Sequence, residues 1–409
     1  MSDNHDINSH QVAPTAAPGL AHLALALGGF AIGTTEFATM SFLPAFTADL
    51  GVDAPTGGHV ISAYALGVMV GAPLLAVLGA NVARRTLLIL FMGWFALGNI
   101  LSAFAPSFAI LLALRFVTAI PHGAYFGVAV LVAASLVPEA QRASAVGRVL
   151  TGLTVAMIVG VPVANLIAQV MGWRYGLGIF GLLAALAALI LLFVIPRQIS
   201  LRKVSPLREL GALRRPQVWL TLGIGAVGFG GLFAVYTYLA STLALVTKAP
   251  QWSVPIVLAL LGVGMTIANF LAPRIAGRGV MRATGLFLAW SVVALAVYPL
   301  TVAHLWSIAL AVFAIGLGGG LGTLLQTRLM DVAGDAQGLA AALNHSAFNL
   351  ANALGPWLGG LAIAGGFGWA STGWVGCGLA MGGLIVWALA LVMERRDSIR
   401  VSVQSSRDC

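Results

Sequence analysis

Long apolar segments separated by short polar breaks make up most of this chain of 409 residues. A helix needs about 20 predominantly apolar residues to cross the hydrocarbon core of a bilayer, and twelve segments reach that length. We number them spans 1 to 12, with predicted bounds 20–44, 58–79, 86–105, 108–132, 146–169, 175–195, 218–243, 254–274, 283–302, 306–328, 339–363 and 371–393. The pattern predicts an all-α, polytopic membrane protein with 12 transmembrane helices.

One polar break, the basic linker 196–217, is much longer than the others and divides the chain nearly in half. The predicted domains are a disordered tail (1–19), an N-terminal six-helix bundle (20–195), the linker, a C-terminal six-helix bundle (218–393) and a second tail (394–409). Three short matches recur at a nearly constant offset: Leu66–Val68 with Leu261–Val263, Pro138–Ala145 with Gly334–Ala341, and Gly172-Trp173 with Gly368-Trp369. Two such repeats predict a substrate site between the bundles, near the bilayer midplane.

The composition excludes a soluble protein and changes the meaning of the net charge. Only 8% of the residues are charged and 60% are hydrophobic, whereas soluble domains carry about 25% charged residues. In a soluble chain a net charge of +9 would be typical of nucleic-acid binding. Here 18 of the 21 Lys and Arg residues fall on the side that bears both termini. Because positive loops stay in the cytoplasm, we expect cytoplasmic termini, a lipid bilayer as the partner and no nucleic acid.

Three ionisable residues inside predicted spans are candidates for a functional role. Glu36 is the acid placed deepest, in span 1, and Arg115 and His122 lie two turns apart in span 4. Ionisable residues inside a membrane are costly and usually functional, and all three are candidates for proton coupling. Glu36 could instead recognise a cationic substrate, Arg115 could bind an anionic part of a substrate, and His122 could line the cavity. Helical spacing places Thr118 and Tyr125 beside His122 as candidates for a substrate pathway. The alternatives are structural: Glu36 fixed to Arg115 or to backbone donors, Arg115 bonded to carbonyls, and His122 packed in the core.

Further polar side chains mark a candidate substrate pathway. Four of them lie within nine residues of span 11, namely Asn344, His345, Asn349 and Asn352. Such groups should face the protein interior, since lipid offers no hydrogen-bond partner. They either line the pathway or make interhelical hydrogen bonds, which are worth roughly 0.6 kcal/mol each. The weaker candidates are Asn165 and Gln326, single polar residues for which a structural role is favoured, and Tyr236, which could offer an aromatic face but which ordinary packing explains equally well. No cluster of His, Asp or Glu residues predicts a metal site, and the two cysteines do not indicate one.

Four strings carry a resemblance to a known family. They are Gly33-Thr-Thr-Glu-Phe37, Arg115 with Pro121-His-Gly-Ala-Tyr-Phe-Gly127, Gly152 through Gly160-Val-Pro162, and Gly172-Trp-Arg174. With the span order, they make the chain resemble the major facilitator superfamily from about residue 20 to 393. Within it, the chain is similar to the twelve-span drug:proton antiporters, including bacterial arabinose and sugar efflux permeases and actinobacterial chloramphenicol exporters. The resemblance implies proton transfer at Arg115 and a structural or gating role for Gly160 and Pro162.

The loop between spans 2 and 3 departs from the family pattern. It reads Gly79-Ala-Asn-Val-Ala-Arg-Arg85, so the glycine and the basic pair Arg84 and Arg85 are present. Ala83 stands where the family usually carries an aspartate. The resemblance implies a gating role for Gly79, Arg84 and Arg85, but a latch through that carboxylate is not available.

These observations favour a secondary active transporter of the bacterial inner membrane. We expect proton-coupled efflux of small drug-like or sugar-like molecules by alternating access, with the proton gradient as energy source, no cofactor and a functional monomer. No Gly-x-x-x-x-Gly-Lys-Ser/Thr string is present, which argues against an ATP-driven pump. A proton-coupled importer of a sugar or other nutrient stays open. An embedded enzyme and a sensor are disfavoured, since the polar regions are too short for a catalytic or output domain.

Overall fold

The computed structural model describes residues 18–79, 81–138, 141–197, 214–334 and 337–405. Helix is the only regular secondary structure in these ranges. The helices are α1 (Pro18–Ser41), α2 (Leu43–Leu50), α3 (Ala54–Leu78), α4 (Arg84–Ala103), α5 (Phe108–Ser135), α6 (Arg142–Val155), α7 (Val161–Met171), α8 (Trp173–Val194), α9 (Pro216–Gly228), α10 (Gly230–Leu245), α11 (Ser253–Ala276), α12 (Val280–Thr301), α13 (Leu305–Gly316), α14 (Leu321–Ala333), α15 (Gln337–Ala362) and α16 (Ser371–Ser405).

The prediction of twelve spans is confirmed, because the described part of the chain contains twelve helical segments long and apolar enough to cross a membrane. Spans 5, 7 and 10 each consist of two helices, namely α6 with α7, α9 with α10, and α13 with α14. The disordered tail predicted for 1–19 and the linker predicted for 196–217 lie largely outside the described residues. The second predicted tail begins as helix, since α16 continues to Ser405.

Two span ends differ from the predicted bounds for local reasons. Span 1 was predicted to reach residue 44, but α1 ends at Ser41 and the short helix α2 begins at Leu43. Leu43 and Phe46 are buried against the bundle, so hydropathy alone does not mark this break. Span 2 begins earlier than predicted because Asp53 caps it. The Asp53 carboxylate accepts a hydrogen bond from the backbone N–H of Thr56 (2.8 Å), a typical N-cap contact.

The two halves of the chain repeat the same helix packing. In the first half span 1 packs on spans 5 and 6, span 2 on span 4, and span 3 on span 6. In the second half span 7 packs on spans 11 and 12, span 8 on span 10, and span 9 on span 12. One hydrogen bond is repeated as well. The Trp94 indole donates to the Val117 carbonyl (3.0 Å), and the Trp290 indole donates to the Ala314 carbonyl (2.7 Å). The structure thus shows two six-helix pseudo-repeats.

Several contacts between the bundles lie in the half of the spans away from both termini, which we call the distal end. Ser62 of span 2 donates to the Ala353 carbonyl of span 11 (2.9 Å). Gly262 of span 8 packs against the backbone of Met157 in span 5. The Gln169 side chain at the end of span 5 donates to the carbonyl of Gln251 (3.1 Å), just before span 8. The structure is therefore held closed at the distal end by polar and close-packed contacts.

Three spans contain turns that are not α-helical. A π-helical turn (Ala156–Gly160) lies between α6 and α7, a 3-10 turn (Leu317–Gly320) lies between α13 and α14, and a π turn (Ile363–Phe367) follows α15. Such turns inside longer helices are frequent at functional sites. Gly160 ends the first of them, and a side chain there would overlap the Thr34 hydroxyl of span 1. Pro162 lies in the first turn of α7. Gly160 therefore allows the close contact between spans 1 and 5.

The close approach of spans 2 and 4 depends on glycine and gives a stability prediction. A Cβ atom on Gly71 would overlap the backbone of Ile120, whereas a Cβ on Gly127 of span 4 would meet no atom within 4 Å. We expect Gly71→Ala to lower the stability by about 1–3 kcal/mol, because backbone atoms cannot move aside as a side chain can. Gly127→Ala, the matched control, should be neutral or slightly stabilising. Melting temperatures in detergent check both, and equal values would contradict the packing described.

Candidate substrate and proton site

Glu36 lies buried on span 1 and is bonded to the opposite bundle. Its side chain is 7% exposed, and its Oε1 accepts a hydrogen bond from Nδ2 of Asn352 on span 11 (3.0 Å). Among the described residues no ion pair within 4.0 Å joins Glu36 to Arg115. The structure therefore does not show the fixed Glu36–Arg115 pair that the sequence left open. An amide, which can both donate and accept, holds the carboxylate instead.

Arg115 is buried in the N-terminal bundle between two groups that the sequence did not single out. It is 1% exposed. Its Nη1 donates to Oδ1 of Asn99 on span 3 (2.9 Å), and its guanidinium lies 4.3 Å from the ring centroid of Tyr64 on span 2. An arginine inside a membrane must be paired. The sequence offered one indication of Asn99: it is a lone amide within an apolar span, where a polar side chain needs a partner.

His122 continues this polar group toward the other bundle. The Tyr64 hydroxyl and His122 Nδ1 are 3.0 Å apart, and the imidazole tautomer decides which of them donates. The Phe126 ring follows at 5.5 Å from His122. On its other side Phe126 stacks on His345 of span 11, with centroids 5.8 Å apart and planes inclined by 10°. Side chains in contact thus lead from Arg115 to the C-terminal bundle.

Span 11 presents a row of amides toward the same region. Asn349 Nδ2 donates to the His345 carbonyl (3.0 Å), and Asn344 Nδ2 donates to Oε1 of Gln326 on span 10 (2.7 Å). The oxygens Oδ1 of Asn349 and Asn352 are buried, and neither has a donor among the described residues. Unsatisfied buried acceptors are rare and call for an explanation.

Aromatic rings from spans 1, 7 and 11 form a continuous cluster beside Glu36, which we call the ring cluster. Phe37 stacks on Phe233 at 6.3 Å and meets Tyr236 edge-on at 6.2 Å. Phe229 contacts Phe233 at 5.5 Å and Phe348 at 4.8 Å. The Tyr236 hydroxyl is buried and has no partner in the described part of the chain. Tyr236 thus belongs to the ring cluster, and its place in a substrate pathway stays a prediction.

The family model of the Major Facilitator Superfamily matches residues 25–337. The chain belongs to this superfamily. An inner membrane transport protein of Escherichia coli K12 is 39% identical over 91% of this chain and 94% of its own length. A chloramphenicol resistance protein of Streptomyces lividans is 33% identical, over 81% and 86%, and a probable sugar efflux transporter of Helicobacter pylori is 27% identical, over 82% and 86%.

A solved structure supports the fold of this superfamily member. It is that of a bacterial homologue of the human lysosomal transporter Spinster, in an inward-facing and unoccupied conformation. The TM-score is 0.64 over 92% of this chain and 95% of that one, at 19% identity. The superfamily and the relatives are membrane transporters, so the prediction that the chain is not an enzyme is confirmed. Within the described ranges, no three His, Cys, Asp or Glu side chains lie together in a group that could hold a metal ion.

Three candidate pathway residues of this transporter are held within the N-terminal bundle instead of facing the other one. The Thr118 hydroxyl donates to the Leu114 carbonyl of its own helix (2.6 Å). The Tyr125 hydroxyl donates to the Leu25 carbonyl of span 1 (2.8 Å). Asn165 donates to the Ser41 carbonyl (3.4 Å) and accepts from Gln169 (2.8 Å). These contacts favour packing roles for all three.

The basic loop between spans 2 and 3 has the geometry of a helix junction. Gly79 ends α3 with its N–H bonded to Leu75, and Arg84 begins α4. Arg85 donates through Nη2 to the Leu192 carbonyl at the end of span 6. Neither arginine takes part in an ion pair within the described ranges, which agrees with Ala83 replacing the aspartate of the family pattern. Gating by these residues stays a prediction.

Proposed function

We propose that this transporter exports small drug-like or sugar-like molecules across the bacterial inner membrane in exchange for protons. Membership of the superfamily makes it a transporter of small molecules, and the exchange is the finer step. One observation carries it. Glu36 is a buried acid between the bundles, and its bond is to Asn352 of the opposite bundle rather than to a cation. A proton on this carboxylate therefore acts directly on the contact between the two moving parts.

The Glu36–Asn352 contact allows both protonation states of the acid. An ionised carboxylate only accepts hydrogen bonds, whereas a protonated one also donates. In the observed arrangement Asn352 Nδ2 donates and its Oδ1 has no donor among the described residues. After protonation, rotation of the amide turns Oδ1 toward the new O–H. Proton binding removes a charge whose burial costs at least about 2.5–3.5 kcal/mol, so it favours bundles that are closed around Glu36.

Arg115 and His122 then serve the proton step from within the N-terminal bundle. Arg115 keeps its charge at every physiological pH, and Asn99 and Tyr64 hold it without binding Glu36. The positive charge of Arg115 therefore favours the ionised form of Glu36, while the carboxylate oxygens of Glu36 stay free to exchange a proton. His122 and Tyr64, 3.0 Å apart, form the relay in this proposal.

The substrate path in this proposal runs along polar residues of the C-terminal bundle on the side of the termini. Gln326 and Asn344 are bonded there, and Thr323 of span 10 donates to Asn269 of span 8 (2.9 Å). Asn269 is exposed in the described structure although it lies within a span, which is costly in lipid. A hydrated path accounts for this exposure. We place both termini in the cytoplasm and treat the monomer as the working unit, with the proton gradient as sole energy source.

A reconstituted system tests the coupling and the direction together. Purified protein in liposomes is given a pH gradient of either sign, and the movement of radiolabelled chloramphenicol and L-arabinose is followed with and without a protonophore. If the protein exchanges substrate for protons, either compound should move in the direction opposite to the proton flow, and the protonophore should stop this movement. Movement in the same direction as the protons would establish the importer instead. Transport indifferent to the gradient would refute proton coupling.

A further inference from the structure

We infer that the transported substrate is an uncharged molecule that combines a flat apolar ring with hydroxyl or amide N–H donors, and that anions are excluded. This inference rests on the proposed function, because it takes the region between the bundles as the transport site. It rests on three features of that region: orphaned hydrogen-bond acceptors, the ring cluster and the placement of Arg115.

The acceptors come from two amides and a phenol. The amide nitrogens of Asn349 and Asn352 already donate, to the His345 carbonyl and to Glu36. In the observed arrangement, with Glu36 as an acceptor, the atoms left over are both oxygens. With the Tyr236 hydroxyl they are buried, and none of the three has a partner in the described part of the chain. Buried acceptors without donors are destabilising, and a ligand rich in N–H or O–H groups would satisfy them.

The ring cluster supplies the apolar half of the recognition. Phe348 on span 11 neighbours Asn349 in sequence and packs edge-on against Phe229, and Phe37 on span 1 follows Glu36 directly. Phe37 and Phe348 are only partly buried, so their faces remain accessible beside the acceptors. Aromatic rings prefer offset-stacked or edge-to-face partners. A flat ring therefore fits this region better than a polyol that lacks one.

Charge excludes acids from the same region. Arg115 is the only Lys or Arg residue buried within the described spans. Its Nη1 binds Asn99 and its guanidinium lies over the Tyr64 ring, both within the N-terminal bundle, and its Nε has no partner in the described part of the chain. Beside the ring cluster lie the Glu36 carboxylate and the Oδ1 atoms of Asn349 and Asn352, which repel an anion, and the Tyr236 hydroxyl, which can donate or accept. An organic cation would have to compete with Asn352 for Glu36, whereas a neutral donor can bind the free oxygens without breaking that bond.

A matched set of small ligands tests the inference without any gradient. All are titrated into purified protein at pH 7.5, and binding is followed by the shift in melting temperature and by calorimetry. N-(2-hydroxyethyl)benzamide has the ring and the donors. N,N-dimethylbenzamide lacks donors, hippurate adds a carboxylate, N-(2-aminoethyl)benzamide adds an ammonium group, and N-(2-hydroxyethyl)acetamide lacks the ring. We expect the first to bind at least about tenfold more tightly than each of the others, a difference of about 1.4 kcal/mol.

Two tyrosines of span 7 provide the matched variants. Tyr236→Phe should weaken the binding of N-(2-hydroxyethyl)benzamide severalfold and reduce the preference for donors. The Tyr238 hydroxyl already donates to the Pro356 carbonyl (2.8 Å), so Tyr238→Phe should lower the melting temperature but keep the preference. Equal or tighter binding of the anion, the cation or the ringless amide would overturn the inference, as would no binding of any ligand. Failure of gradient-driven transport with this preference intact would refute only the exchange mechanism.

Discussion

Glu36→Gln is expected to abolish transport driven by a pH gradient while leaving exchange of substrate without a gradient. Glutamine has nearly the same shape as glutamate and keeps an oxygen that accepts from Asn352 Nδ2, so the contact between spans 1 and 11 (3.0 Å in the native chain) persists. It cannot bind or release a proton, and its permanent neutrality removes the alternation of charge that drives the cycle. Gradient-driven uptake and counterflow, measured in the same liposomes, separate the two activities.

Asp49→Asn is the matched control for this substitution. Asp49 lies outside the spans, on α2, and forms an ion pair with Arg174 at the start of span 6. This hydrogen bond holds the pKa of Asp49 below its ordinary value. An acid with a lowered folded-state pKa stabilises the fold above its ordinary pKa and loses that contribution only as the pH falls through the lowered value. Asp49 therefore stays ionised near neutral pH, and Asp49→Asn should keep the wild-type dependence on the gradient. Concentrative transport by Glu36→Gln at the wild-type rate would refute the assignment.

Arg115→Met is expected to reduce gradient-driven transport at least about tenfold and to lower the melting temperature. Methionine fills part of the buried volume but removes both the bond to Asn99 and the contact with the Tyr64 ring. The orphaned amide oxygen alone costs about 1–3 kcal/mol, and tenfold in rate corresponds to about 1.4 kcal/mol. Arg115→Lys keeps the charge without the planar guanidinium and should show an intermediate effect.

A double-mutant cycle distinguishes a specific pair from general damage. Asn99→Ala alone leaves Arg115 without its hydrogen-bond acceptor, and adding Arg115→Met should cost little more, since residues in direct contact are not additive. The melting temperatures and transport rates of the wild type, both single variants and the double variant complete the cycle. Additive effects would show that the bond between Nη1 and Asn99 contributes nothing to either property.

The sequence predicted the span architecture well because the bilayer imposes a length on every crossing helix. Local exceptions arose where apolar residues pack on protein instead of lipid. Leu43 and Phe46 are as apolar as the span before them, yet they belong to the separate helix α2. Hydropathy measures how apolar a segment is, and it does not distinguish the two environments. Hydropathy also does not show which spans contact each other, and in the sequence only the internal repeat bore on this question.

The candidate site was predictable in its charges and not in its contacts. Glu36 and Arg115 stood out because charge is rare inside a membrane. Their partners Asn352, Asn99 and Tyr64 depend on how each helix is rotated and how far it is shifted along its neighbour, which no local pattern encodes. The same limit affected Tyr125. Helical spacing places it near His122, but its hydroxyl binds span 1 while His122 binds Tyr64 of span 2.

The repeated indole bonds lie beside helix distortions of different kinds in the two halves. Val117 lies four residues before Pro121, which has no N–H, so its carbonyl lacks the usual helical donor and receives one from Trp94. The position equivalent to Pro121 in the second half is Leu317, where the helix changes to a 3-10 turn, and Trp290 again donates to the preceding turn. Both halves therefore place an indole donor beside a helix distortion, which is a proline in the first half and a glycine-rich turn in the second.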